Sequence, residues 1–427
     1  MKRSTLPRPD VPLHASTIGV PIAAPTILEP AAASKLVPAQ SMGAPKIWVY
    51  RYLHPFTRWR LSIATHAEPG SGKLSLGGFR IAPHERTSLP GFDSDREAVA
   101  LAIGMEEKVT WSRLIGVGGP LARRDMGRLV GGKCVLHPTP DARVGQPRDA
   151  ELLNFAVSCF RDVEARAGFR LITGQDMGHG MMFDGHTHSL RYLNTRFDGC
   201  VVADTSKPTG EGNFHVLVGM LLAFGVPIER ATVGLIGCGN IGMHLVERLR
   251  EQGTTILALE SNASRRAEVA ALGIEVSPAE EKLAFLRRPM DAVAVNASGG
   301  SLDEPAIAAM AANARLKVVC GAENLVMADH AAGSDALRGA RKAYCPTALG
   351  GMMGYLTAVE EYLARLEREP FDVQSMLLAA GLLERPAYEA TQRVISRDFT
   401  VSVADAVRAL SGEGTVQVHG RADSSEL

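Results

Sequence analysis

The sequence predicts an α/β protein built from two domains. At 427 residues the chain has room for two hydrophobic cores rather than one. Before residue 200, strand-like and helical patterns alternate. Beyond it, a glycine-rich turn joins an apolar strand to an amphipathic helix and a second strand, the βαβ unit of a parallel sheet.

Composition narrows the class. Lys+Arg 46 balances Asp+Glu 46, so no net field draws the chain to nucleic acid or an acidic membrane surface. The cysteines at 134, 159, 200, 238, 320 and 345 form no C-x-x-C pair. That argues against a disulfide framework or a zinc site and fits a reducing cytoplasm. No uninterrupted apolar run approaches about eighteen residues, so no membrane span is expected. Residues 1–42 are rich in Ala and Pro and read as a flexible tail, or as an arm lying on a neighbouring subunit. Prolines interrupt whatever apolar stretch follows Met1-Lys2-Arg3, against a secretory signal. Residues 412–427 are polar and read as a disordered tail, and no internal repeat is present.

The first domain is expected over residues 43–205. Residues 59–64 read as a strand and 73–76 as its partner across the turn at 68–72. Residues 95–107 make a good helix, with Ser94 as N-cap. Residues 134–136 and 169–172 look like short buried strands. The second domain spans 206–350, with strands at 232–236, 255–259, 292–295 and 316–320. The segment 351–411 is helical again, at 355–367 and 386–398, and is expected to pack back across the cleft between the domains.

Within the second domain stands Gly237-Cys238-Gly239-Asn240-Ile241-Gly242, between a strand and a helix. A second strand ends at Glu260, about twenty residues on. This is the dinucleotide fingerprint of a Rossmann-type doubly wound fold. Gly237 permits the tight turn, Gly239 lets a pyrophosphate approach, and Gly242 lets helix and strand pack closely. The helix N-terminus offers free N–H groups to phosphates. Glu260 can accept from a ribose diol, which favours NAD over NADP. Ser261, Arg265 and Arg266 follow closely and leave NADP open.

Four further segments carry chemistry. Leu76-Gly77-Gly78-Phe79-Arg80 closes a strand. Gly104-Met105-Glu106-Glu107-Lys108 ends a helix on a lysine. Val130-Gly131-Gly132-Lys133 places a second lysine before a strand. Thr173-Gly174-Gln175-Asp176-Met177-Gly178 holds an acid in a turn. One lysine would pin a substrate carboxylate. The other, its pKa lowered by burial and by the first charge, would act near neutral pH, and the aspartate would shuttle a proton. Each alone also fits an ordinary surface lysine or turn aspartate.

In this order the segments resemble the glutamate/leucine/phenylalanine/valine dehydrogenase family, above all its leucine and phenylalanine branch, over roughly residues 46–398. The resemblance implies a substrate and oligomerisation domain followed by the NAD(P) domain, and a homodimer or larger assembly. It makes Lys108 the substrate-carboxylate lysine, Lys133 the catalytic lysine and Asp176 the proton-transfer residue. It places Asn324, in Gly321-Ala322-Glu323-Asn324, near the nicotinamide ribose or the substrate, and Asn296 beside the cofactor. The family threonine that contacts the nicotinamide amide falls at Gly212, with Asn213 or Thr209 as replacements. The implied reaction is oxidative deamination of an amino acid to a 2-oxo acid and ammonia, or its reverse, with no metal.

The departures shape the substrate. Leu76, Gly77, Met105, Gly174, Met352 and Tyr355 would line the pocket, with no lysine for a side-chain carboxylate. An apolar or aromatic amino acid is expected. Lys108 and Lys133 stand roughly twice as far apart as in the family. The added stretch, around residues 117–124, reads as a lid, a substrate contact or a surface insertion. His179, His186 and His188 lack the partners of a metal set and read as polar cleft or loop residues. Two other readings stay open: a dehydrogenase-like binding protein without turnover, and an imine-reducing enzyme acting on an unusual amino acid.

Overall fold

The computed structural model describes residue 20, residues 22–37 and residues 46–412. The rest of the two expected tails lies outside the described residues. The first sheet contains β1 (Thr26–Leu28), β2 (Trp48–Leu53), β3 (Arg60–Thr65), β4 (Leu74–Leu76), β5 (Phe79–Ile81), β6 (Leu129–His137) and β7 (Arg170–Ile172). Its order is β1-β2-β3-β6-β4-β7, with β5 on the far half of β6. Residues 22–37, expected as flexible tail, instead form the antiparallel edge strand β1 and the short helix Pro30–Ala33. Ala33 packs fully buried against Val49, Ala64 and Ala98, and Pro30 sits in the first turn, where its missing N–H is harmless.

Three local expectations are corrected. The strand at 74–76 does not pair with β3; β6 lies between them, antiparallel to β3 and parallel to β4. The helix runs Ser94–Ile115 and is capped by Asp93, whose side chain accepts from the Asp95 N–H. Lys108 therefore sits inside a helix that continues to Gly116, the first residue to adopt a left-handed C-cap. Gly131, Gly132 and Lys133 lie within β6, not before it. A buried carboxylate pins the helix to the sheet: Asp95 accepts from Ser62 at 2.5 Å and pairs with Arg51 and Arg60.

The second sheet contains β8 (Thr232–Ile236), β9 (Thr255–Glu260), β10 (Glu275–Pro278), β11 (Ala292–Val295), β12 (Val318–Gly321) and β13 (Ala343–Tyr344). All pairs are parallel, in the order β10-β9-β8-β11-β12-β13. The strand order reverses between β8 and β11, which opens the crevice where doubly wound folds bind their ligands. The C-terminal helices return as expected. One continuous apolar core joins Met105 and Trp111, Leu217 of helix Ser206–Ala223, and Leu356 and Val359 of helix Met352–Glu367. No helix among the described residues is long and apolar enough to cross a membrane.

The stretch between Lys108 and Lys133 is a packed buttress and not a lid. Part of it extends the long helix; the rest forms helix Pro120–Arg124, with Val117, Leu121 and Ala122 buried. Glu360, on the Met352–Glu367 helix, accepts from Leu121 N–H at 3.0 Å and Ala122 N–H at 2.8 Å, and Arg124 pairs with Glu367. Glu360→Ala strands two buried N–H donors and should cost about 1–3 kcal/mol in urea denaturation. A change within error would show that the two helices are held together by apolar packing alone.

Candidate active site

The cleft between the sheets encloses a cavity of about 380 Å³. Its floor is made where the first sheet splits. β4 pairs with β6 as far as Gly131 and β5 resumes at Cys134, so Gly77 and Gly78 pass Gly132 and Lys133 without a regular ladder. A Cβ on Gly77 would stand 1.6 Å from the Gly132 carbonyl oxygen, a position no other residue could take. The Lys133 side chain enters the cleft through this gap.

There it meets Asp176, held in the turn after β7. Lys133 Nζ and Arg80 Nε both donate to the Asp176 carboxylate, the second at 2.9 Å, and the Met177 N–H adds a third bond at 2.6 Å. Arg80 also pairs with Glu97, which Arg86 approaches at 3.2 Å. Burial alone would raise the Asp176 pKa; the Lys133 and Arg80 charges outweigh it and hold the carboxyl ionised, well below the usual range. Burial pushes the Lys133 pKa down, Asp176 opposes that and Arg80 adds to it, leaving it lowered.

Lys108 completes the group from the long helix. It is 5% exposed, and among the described residues its only hydrogen bond is to Asn324 Oδ1 of the opposite domain, at 3.1 Å. Burial, then the Lys133 charge, push its pKa down to about 8. No carboxylate lies within ion-pairing distance of it among the described residues. Lys108, Lys133, Asp176 and Asn324, named from separate motifs, thus line one cavity with Leu76, Gly77, Met105, Gly174 and Tyr355.

Of the residues expected around the substrate and nicotinamide, Met352, Gly212 and Asn296 do not line it. Met352 is fully buried, its sulfur 3.6 Å from Ser112 Oγ; Gly351, Gly354 and Ala358 line the cleft from that helix beside Tyr355. Gly212 faces the other way, since a Cβ there would meet Met353 and Leu383. Thr209 of the same helix lines the cavity instead. Asn213 donates to Asn296 Oδ1 at 2.8 Å, and Asn296 also accepts from the Ala322 N–H, so this pair ties the ends of β11 and β12 to the helix. Among the described residues the buried Asn296 amide nitrogen has no hydrogen-bond partner.

The second sheet fits a dinucleotide. Gly237 turns with φ +86°, and a Cβ on Gly242 would stand 2.1 Å from the Gly237 carbonyl oxygen, which fixes the close helix–strand approach. Helix Asn240–Glu251 begins without a side-chain cap, and Gly239 and Asn240 are exposed, so its first N–H groups are open to phosphates. Ile241 reaches the cavity. Glu260 is buried at the end of β9, accepting from the Cys238 and Asn262 N–H groups at 2.6 and 2.7 Å. Arg266 is engaged by the carbonyls of Glu260 and Ser261, and Arg265 by Glu268.

The sequence reading gave no role to Arg80, Glu97 or Glu323. Arg80 ends the strand motif and Glu97 sits one helical turn in, so neither carries a local mark of its task. Glu323 accepts from the Ala297 and Ser301 N–H groups and from Ser301 Oγ, shaping the loop over the cleft. The histidines are structural. His179 is buried between Ser189 Oγ and the Phe79 carbonyl, and burial pushes its pKa down to about 4. His188 caps helix Ser189–Asn194, and His186 is exposed beside Asp184. Among the described residues, no three His, Cys, Asp or Glu side chains gather as a metal set.

A doubly wound nucleotide-type domain facing a domain that contributes two buried lysines and an aspartate defines a two-domain α/β protein with a polar cleft between its sheets. No protein-family model matches the chain. The valine dehydrogenases of Streptomyces coelicolor and Streptomyces virginiae are each 28% identical to it over 258 residues, 58% of this chain. The chain spans about three fifths of their length, 62% and 63%. L-tryptophan dehydrogenase from Nostoc punctiforme shares the fold with a TM-score of 0.56 at 19% identity, over 83% of this chain and 92% of that one. The hetero-hexameric glutamate dehydrogenase from Thermus thermophilus, in its Leu-bound form, gives 0.62 at 14% identity, over 90% and 92%. The expected resemblance is borne out as a likeness: the chain is similar in sequence to the two valine dehydrogenases and in fold to the tryptophan and glutamate dehydrogenases.

Removing Arg80 while keeping its volume, as in Arg80→Met, leaves Asp176 and Glu97 short of a buried partner. It should cost about 3–5 kcal/mol of stability by chemical denaturation. A loss below about 1 kcal/mol would show that Lys133 and Arg86 suffice to hold the two carboxylates.

Proposed function

We propose that this chain catalyses the NAD(P)-dependent oxidative deamination of an apolar or aromatic L-amino acid, or the reverse reductive amination. The observation that carries the reading is the buried Lys108 ammonium. Among the described residues it has a neutral amide for its only hydrogen-bond partner, near a second lysine already paired with an aspartate. A buried cation without a counter-ion is costly, and a substrate carboxylate would supply one. The kinship with valine dehydrogenases supports the amino-acid class. The absence of a cation among Leu76, Met105, Gly174, Tyr355 and Ala358 argues against an acidic side chain.

In this reading Lys108 and Asn324 fix the carboxylate and orient the α-carbon towards the second domain. When bound, the nicotinamide supplies the acceptor for the α-hydrogen as hydride; the carboxylate of Glu260 at the ribose end favours NAD. Lys133 activates the water that attacks the resulting imine carbon. Asp176, within bonding reach of Lys133, takes and returns protons as the carbinolamine loses ammonia and the 2-oxo acid forms.

The reading is tested with NADH absorbance against a panel of L-amino acids and, in reverse, 2-oxo acids with ammonium. Lys133→Ala and Asp176→Asn should each lower kcat by at least about a thousandfold, while NADH fluorescence titration still shows binding. Retention of most activity in either variant would refute the assigned mechanism. Lys108 gives a pH signature. It is charged below its pKa of about 8 and neutral above it. The Kd of a 2-oxo acid for the enzyme–NADH complex should therefore rise as pH passes about 8, and Lys108→Met should bind weakly at every pH. A pH-independent Kd in the wild type would remove Lys108 from the carboxylate site.

A further inference from the structure

A second cavity, of about 230 Å³, opens between the long helix Ser94–Ile115 and the loop 324–331 of the second domain. Asn324 lines it as well as the substrate cleft. On the helix side, Gly104 stands in mid-helix, where glycine weakens the backbone, yet a Cβ there would meet nothing within 4 Å. Close packing therefore does not require this glycine, and it leaves open space. Ala100, one turn earlier, lines the same space. The facing wall is apolar, with Val326, Met327 and Ala348. Its backbone is held in place: Gly300 N–H donates to the Leu325 carbonyl at 2.9 Å, and Leu302 N–H to the Val326 carbonyl at 3.0 Å.

Glu107 brings a charge to this cavity. Helical side chains lean towards the N-terminus, so Glu107 projects over the turn that holds Ile103 and Gly104, and all three line the cavity. Among the described residues its carboxylate accepts no hydrogen bond and has no cation within ion-pairing distance. Burial raises its pKa, and the Arg408 and Lys108 charges offset only part of that. Arg408 bonds Asp405 at 3.1 Å and lies over the Trp111 ring, and Lys108 bonds Asn324. The other polar side chains of the lining are spent. Asp329 caps helix His330–Gly339, and His330 Nε2 shares a hydrogen bond with the Tyr344 hydroxyl.

We propose that this cavity binds a small organic ammonium ion, its charged head on Glu107 and its aliphatic body over Gly104 against Val326 and Met327. A metal ion would need more donors than one carboxylate, and a wholly apolar ligand would bury that carboxylate further without a counter-charge. The site stands apart from whatever the substrate cleft turns over.

The test is a ligand-observed NMR titration of the full chain with n-butylammonium, beside 1-butanol as its neutral counterpart and potassium chloride as a salt control. A ligand of so few atoms should bind saturably with a Kd on the order of 1 mM. Glu107→Gln should cut the preference for the ammonium over the alcohol about tenfold, and Gly104→Leu should abolish binding of both. Ala100→Leu blocks the same space if Gly104→Leu does not fold. Absence of saturable binding, an ammonium preference unchanged in Glu107→Gln, or full binding to a folded cavity-filling variant would each overturn the inference.

Discussion

Lys133, Asp176 and Arg80 meet in the floor of the cleft, and none of them could be buried there alone. A single ion taken from water into a protein interior costs several kcal/mol, about the whole margin by which a domain is stable. Asp176 offsets two such costs, since its two oxygens serve two cations from different strands. Glu97 then balances the far side of Arg80. The chain has to bring β5, β6, the turn after β7 and the first turn of the long helix to one point before any of these charges is tolerable. The ionic cluster therefore specifies how the first domain closes as much as it prepares a site.

The break in the sheet makes this possible. A regular ladder would bury Lys133 against its neighbouring strand. Gly77 and Gly78 interrupt that strand, and a Cβ on Gly78 would stand 3.0 Å from the Lys133 ammonium. The second domain meets the opening with the ends of its parallel strands, where the strand order reverses between β8 and β11. Asn324 crosses to Lys108, and helix Met352–Glu367 returns to wall the cleft. The buttress Pro120–Arg124 grips that helix through Glu360, so a segment absent from the cavity lining still bears on where Tyr355 stands.

What was legible in the sequence follows from what kind of signal each feature leaves. The glycine fingerprint, the strands around it and Glu260 were readable because each depends on backbone geometry within a few residues. Lys108, Lys133, Asp176 and Asn324 were readable as motifs, and the fold brings them together. The reading failed where the deciding partner was distant. Lys108 looked like a helix end, yet nothing breaks the helix before Gly116. Gly131 and Gly132 looked like a loop, yet they are strand residues because Glu106 and Ser75 lie where their side chains would go. The faces of Gly212 and Met352 were set by helix–helix packing against Met353, Leu383 and Ser112, which no local pattern announces. The edge strand at 26–28 was hidden among prolines because its order comes from β2.

The charges also say what the cleft is waiting for. Its carboxylates, Asp176 and Glu97, are matched by Lys133 and Arg80, with Arg86 at the rim. Lys108 has no carboxylate within ion-pairing distance among the described residues, and burial and then the Lys133 charge hold its pKa down. A monoanionic carboxylate would neutralise it, and would raise its pKa again as it bound. Binding would in turn shield Lys133 from the Lys108 charge that faces it across the cleft. In the proposed reaction the same anion would secure the substrate and alter the electrostatic surroundings of the Lys133–Asp176 pair. A neutral ligand would leave Lys108 as it is and do neither, so discrimination for a carboxylate is built into the electrostatics of the cleft, before any contact with the side chain is made.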